Sequence, residues 1–183
     1  DQAGRASRMD HMRVTVSVPP GHAVGAVEWS RDQPGPAHSF AVLARDELSA
    51  TAFRREIATG PGRDSVLVFV HGYNTSLPDG VFRLAQILHD SNATGAAVLF
   101  SWPSQARISG YGADREAALF ARDDLADFLA ALADDPRLGQ IVVLGHSMGG
   151  WLVMESLRQL RLTGQDRAIG RLQVVLAAPD IDI

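Results

Sequence analysis

The 183-residue chain contains no cysteine, which removes disulfides, thiolate metal sites and a cysteine nucleophile in one step. Long apolar runs are missing too. The longest, such as Val66 to Val70, fall far short of the roughly 20 residues a membrane-spanning helix needs, so no transmembrane segment is expected. There is no basic block: the 17 basic residues, all Arg, are scattered among 21 Asp and Glu, for a formal net charge of −4. That pattern argues against an electrostatic footprint for nucleic acid. Neither the phosphate-cradling G-x-x-x-x-G-K-[ST] nor a G-x-G-x-x-G after a strand occurs, so nucleotide cofactors have no sequence signal. The chain opens on Asp1 and polar residues without a signal-like segment, and a start without methionine points to a trimmed natural N-terminus. No compartment follows from this.

What is present is ordinary globular composition, 46% hydrophobic and 21% charged, at a length that suits one domain, expected to cover residues 1–183. Four apolar runs recur: Val66 to Val70, Ala97 to Phe100, Ile141 to Leu144, and Leu172 to Leu176. Runs this continuous predict strands buried on both faces of a parallel sheet. Between them, Val81, Leu84, Ala85 and Leu88 fall at i, i+3, i+4 and i+7, as do Leu125, Phe128, Leu129 and Leu132, each marking one apolar helical stripe. A third helix is expected from the glycines after Ser147 through Val153, Leu157 and Leu160. Strand and helix alternating in this way predict an α/β fold, a doubly wound, mostly parallel sheet. Before residue 60 the pattern changes. Arg13 to Val18 alternates and Phe40 to Leu43 is a second short strand, both read as antiparallel edge strands, followed by a short helix near Ala50 to Ile57. The Gly- and Pro-rich stretches from Gly21 to Gly35 and from Gly60 to Arg63 read as loops.

The strand Ile141 to Leu144 runs into Gly145-His146-Ser147-Met148-Gly149-Gly150-Trp151, a G-x-S-x-G motif followed by a helical pattern. The motif alone is weak, but strand, sharp turn and helix together are what a nucleophilic serine requires. The turn strains Ser147, and small residues at Gly145 and Gly149 avoid clashes with the neighbouring strand and helix. Ser147 then stands at a helix N-terminus, where the N–H of Met148 is placed to stabilise an oxyanion. The bland alternative is a tight turn in which Ser147 only caps the helix. His146 reads as a packing residue, not as the base.

A second polar turn supports the first. Val66 to Val70 leads into His71-Gly72-Tyr73-Asn74-Thr75 at the carboxyl edge of the same sheet, where ligands bind in such folds. Two converging donors are needed by a tetrahedral oxyanion, and the second is expected from the N–H of Tyr73. His71 reads as a buried brace of this loop, while Tyr73 and Asn74 have an alternative role as plain turn formers. Trp102, after the strand ending at Phe100, is either a pocket wall or core. Gly110 and Gly112 would permit a mobile loop over the site, and Asp114 reads as an N-cap.

These blocks resemble the α/β-hydrolase superfamily, and within it a group of uncharacterised bacterial lipase-like proteins known as domain of unknown function 900. The resemblance rests on Phe69 to Ser76, Phe82 to Gln86, Phe100 to Ser104, Tyr111 with Asp114-Arg115-Glu116, His146 to Gly149, and Ala177 to Asp182, and covers roughly residues 12 to 183. It implies an α/β-hydrolase fold and serine esterase or lipase-like activity with Ser147 as nucleophile. From the residues themselves an acyl-enzyme on Ser147, a small-molecule or lipid ester as substrate, and no cofactor or metal are expected. A non-catalytic binding or scaffolding module on the same fold is the alternative.

One part of the machinery is missing from the sequence. In this fold the triad runs Ser, then acid, then His, yet all six histidines, at 11, 22, 38, 71, 89 and 146, precede Ser147. The base is therefore expected beyond Ile183 and the chain is expected to be a C-terminally truncated piece of a longer protein, weak or inactive by itself. Asp180, after the strand Leu172 to Leu176, is the candidate acid, although the resemblance places the acid one strand later. An incomplete sheet would leave an unpaired edge open to self-association.

Overall fold

In the computed structural model, residues 9–29, 35–60, 62, 64–104 and 110–180 are described. Four strands form a parallel sheet in the order β4-β3-β5-β6: β3 (Ser65–Val70), β4 (Ala96–Phe100), β5 (Gln140–His146) and β6 (Leu172–Ala177). Each is the apolar run named above extended by one to three residues. β3 pairs with β4 on one side and β5 on the other, so that Val70 lies level with both Phe100 and Gly145. The chain therefore leaves the three strands β3, β4 and β5 at one edge of the sheet.

The connections are helices, as parallel strands require. α2 (Leu77–Ser91) follows β3, α3 (Tyr111–Phe120) and α4 (Arg122–Ala133) follow β4, and α5 (Met148–Leu162) with the short α6 (Asp166–Ile169) joins β5 to β6. α2 starts where Ser76 and Asp79 cap each other's backbone N–H groups, with Pro78 in the first turn. The strand residues divide by face. Val66, Val68, Val70, Val98, Phe100, Ile141 and Val143 are buried with Leu125, Leu129, Leu152 and Val153 of α4 and α5, while Leu99 meets α2 at Gly80 on the opposite face.

Three expectations are corrected. β1 (His11–Ser17) and β2 (Ala41–Leu48) are antiparallel, but they form a sheet of their own, with a register shift between Thr15 and Val16, and are not edges of the main sheet. α1 (Ala50–Thr59) follows, capped by Ser49, and Phe53 sits between His11 and Phe128. Second, β6 is not covered on both faces. Among the described residues it is an edge strand, as is β4, with Val174 at 37% and Val175 at 49% exposure; a continuous apolar run records β-propensity whether or not a neighbour covers it. Third, Gly112 to Glu116 is helical, within α3. The first part of the anticipated loop, residues 107–109, lies outside the described residues, as does part of each Gly- and Pro-rich loop.

Among the described residues no helix is long and apolar enough to cross a membrane.

Candidate active site

β5 ends at His146, and α5 begins at Met148, leaving Ser147 as the only residue between strand and helix. Its backbone has φ 51° and ψ −126°. A side-chain-bearing residue there is strained by about 1–3 kcal/mol and persists only if its surroundings hold it. They do so on three sides. The Ser147 N–H donates to Ala177 O at 3.0 Å, and the Ser147 carbonyl accepts from Gly150 at 2.8 Å and from Asp180 at 3.2 Å. A side chain on Gly145 would come within 2.7 Å of Gly150 Cα, and one on Gly149 within 2.3 Å of Val70 O and 2.4 Å of His71 O. Only glycines let the first turn of α5 sit this close to the ends of both β5 and β3.

The capping alternative does not hold, because the Ser147 side chain makes no cap hydrogen bond. Its hydroxyl is left at the partly exposed turn. The N–H of Met148, first residue of α5, has no hydrogen-bond partner among the described residues, as expected for a helix N-terminus, where the first donors are orphaned. The Met148 side chain is buried at 1% exposure.

The second turn approaches the first through Gly72, where an added Cβ would stand 2.9 Å from Ser147 Cβ and 2.9 Å from His146 Nδ1. Asn74 takes the left-handed turn position at φ 55°, so it is the turn former, and Tyr73 packs partly against the core. His71 is 1% exposed, stacked on Trp102 at 4.9 Å and 13°. Its Nδ1 lies 2.9 Å from Gly72 O, which can only accept, so the proton is on Nδ1. Nε2 then accepts from Ser101 Oγ at 3.3 Å. Burial pushes the imidazole below its ordinary pKa, against smaller opposing contributions from Gly72, Trp102 and Asp114, and the ring is held neutral. Trp102 donates from Nε1 to His71 O at 2.9 Å and is 2% exposed, so it is core and not a pocket wall. The consequence for Tyr73 is geometric. The peptide is trans, so fixing Gly72 C=O toward the His71 ring points the Tyr73 N–H away from it.

Two expected roles change. His146 is exposed, not packed, because it is the last residue of β5 and projects beyond the sheet edge. Asp114 is no N-cap: α3 is preceded by Gly110, without a side-chain cap, and Asp114 sits in the first turn with 0% exposure, accepting from Ser104 Oγ at 2.6 Å. Asp180 is near the serine turn through its backbone, but its exposed carboxylate accepts from Tyr111 OH at 2.5 Å, and Tyr111 meets Tyr73 edge to face at 5.5 Å. Among the described residues no hydrogen bond joins a histidine to Ser147 Oγ or to the Asp180 carboxylate.

Sequence reasoning missed the strap that flanks the site. His22 places Nδ1 and Nε2 each 2.8 Å from a carboxylate oxygen, of Glu28 and of Asp90. Asp90 also accepts from Gly25 N–H at 2.7 Å, and Phe40 and Trp29 pack with tilted rings against Phe82 of α2. The separation of 68 residues between His22 and Asp90 leaves no local pattern that would have revealed the pairing. Val27 and Trp29 thereby wall a cavity of about 270 Å³ that also reaches Gly72 and His146. No group of three or more metal-ligating side chains converges among the described residues.

A four-stranded parallel sheet flanked by helices, with a strained serine between strand and helix, places the protein in the α/β-hydrolase class. Residues 46–183 match the family described as alpha/beta hydrolase of unknown function (DUF900), and the chain belongs to it. It is also similar to an uncharacterised protein, alr1448, of Nostoc sp. strain PCC 7120, 35% identical over 65 residues. The aligned stretch is 36% of this chain and 17% of that protein. No solved structure matches the chain.

Proposed function

We propose that the native protein is a serine hydrolase that cleaves an ester through an acyl-enzyme on Ser147. The observation that carries this is the backbone of Ser147, strained at φ 51° and ψ −126° with its side chain uncommitted to capping. Structural caps are made by relaxed serines that bond the helix, as Ser49 and Ser76 do in this same chain.

In the proposed reaction Ser147 Oγ attacks the ester carbonyl carbon while its proton passes to an imidazole. The carbonyl oxygen, now an anion, is stabilised by the N–H groups of Met148 and Tyr73. Collapse of the tetrahedral species breaks the bond to the alcohol, which leaves with the proton from the imidazole. Water then repeats the sequence on the acyl-serine, releasing the acid and restoring Ser147. His71 has a positioning role, holding the Gly72–Tyr73 peptide. Asp180 is the candidate acid, and Gly145, Gly149 and Gly72 allow the close approach of the two turns. The imidazole is not provided by the described histidines at Ser147.

That last point favours a second reading, a non-catalytic binding or scaffolding domain on the same fold. Hydrolysis of p-nitrophenyl acetate and butyrate by the native full-length protein separates the two. The hydrolase reading expects turnover that falls by at least about 10³-fold in Ser147→Ala; absence of turnover, or turnover unchanged by the substitution, favours the binding module.

A further inference from the structure

We infer that the cavity beside Gly72 binds a short substrate arm ending in a carboxylate, with Arg83 as its counter-charge. This deepens the hydrolase reading and rests on it for the identity of the bound molecule as substrate. The cavity and the Ser147 turn share a wall, since Gly72 lines one and closely approaches the other, and His146 lines it as well. Ser147 does not itself line the cavity, but its neighbours Gly72 and His146 do, so an arm held there is proposed to carry the ester toward Ser147.

The remaining lining has a definite chemistry. Val27, Trp29 and Phe69 give apolar walls, and Arg83 is the Lys or Arg side chain on them. Its Nη1 donates to Gln86 Oε1 at 2.9 Å and to Gly25 O at 3.4 Å. Both acceptors are neutral, and among the described residues no carboxylate lies within ion-pair distance of Arg83. Among the described residues the charge thus has no ion-pair partner, and the guanidinium offers the planar fork that suits a carboxylate. The other strap charges are already matched, His22 against Glu28 and Asp90.

One acid, Asp79, also borders the cavity. Its carboxylate is engaged, accepting from Ser76 N–H at 3.1 Å and Ser76 Oγ at 2.5 Å, and it faces the positive end of α2, which offsets its charge. Size sets the length of the arm. About 270 Å³ lies just under the range of drug-sized sites, roughly 300–1,000 Å³, which fits a chain of a few carbons. The predicted class is the half-ester of a short dicarboxylic acid.

Trp29 on the cavity wall supplies a binding signal independent of turnover. Glutarate titrated into the full-length protein is expected to change tryptophan emission saturably, and Trp29→Phe to remove that change. Dimethyl glutarate is expected to need at least about tenfold higher concentration, as is glutarate with Arg83→Gln, the loss of one charge-assisted pair. Arg83→Lys should recover part of the binding, because it keeps the charge but not the planar fork. Equal binding of the diester, indifference to Arg83→Gln, or no saturable response overturns the assignment. Glutarate binding to a protein whose Ser147 proves unreactive would overturn the hydrolase reading alone, and a reactive Ser147 with no preference for glutarate would overturn the carboxylate site alone.

Discussion

Ser147 carries the account, and its backbone can be tested apart from its chemistry. Glycine reaches φ 51° without a Cβ penalty, so Ser147→Gly should relieve strain that Ser147→Ala keeps. After subtracting the extra freedom glycine has when unfolded, roughly 0.4–1 kcal/mol, Ser147→Gly is expected to be about 1 kcal/mol more stable than Ser147→Ala in urea unfolding. An alanine variant of equal or greater stability would mean that the turn is not strained. At this scale the sequence was legible where chemistry imposes local spacing. The G-x-S-x-G turn and the His71-Gly72 loop were both readable, because each is a strand running directly into its turn. Asp114 was misread because an acid in a helical first turn looks the same whether it caps the helix or is buried under Ser104, and only tertiary packing separates these. His146 was misread for a similar reason, since sequence adjacency to Ser147 does not say how far the strand end projects.

Among the elements, the strap from Pro19 to Trp29 is held on α2 chiefly by charge. A neutral imidazole has one N–H, so two carboxylate contacts from His22 require the imidazolium. Hydrogen bonds to Glu28 first and Asp90 second raise the His22 pKa from its ordinary 6.5. The contribution is therefore complete below pH 6.5 and is lost as pH rises through the elevated value. Its partners act in the opposite sense. Asp90, held down to about 2 mainly by the Gly25 N–H and Gln86, contributes above its ordinary 3.8 and is lost as pH falls toward 2. Glu28 is likewise lowered, chiefly by the Ala23 N–H and His22. Ring contacts to His89 and Phe40 complete the surroundings of His22, and Arg83 reaches the same strap at Gly25. Amide exchange at Ala23 and Gly25, normalised for the intrinsic pH dependence, should accelerate on both limbs, and His22→Gln should abolish the alkaline one. A flat profile in the wild type would remove the latch. None of this was visible in sequence, where Gly21 to Gly35 offered only loop composition. By contrast α2, α4 and α5 were readable from their apolar stripes, because each buries one face.

For the whole molecule, the sheet order β4-β3-β5-β6 leaves β6 at an edge, with Val174 and Val175 exposed and no partner on its outer side among the described strands. Such an edge favours pairing with another chain. The 183-residue chain is expected to associate as concentration rises in sedimentation velocity, and Val175→Lys to suppress this; a wild type that stays monomeric across the range would contradict it. The parallel sheet itself followed from four apolar runs separated by helical patterns, but the separation of β1 and β2 into their own sheet did not, since alternation marks a half-buried strand without naming its partner.

All these features converge on whether Ser147 reacts. The most direct measurement is labelling of the native full-length protein with a fluorophosphonate, followed by peptide mass mapping. Covalent addition at Ser147, absent in Ser147→Ala, is the predicted result; a protein left unlabelled, or labelled equally with and without Ser147, would contradict the central claim.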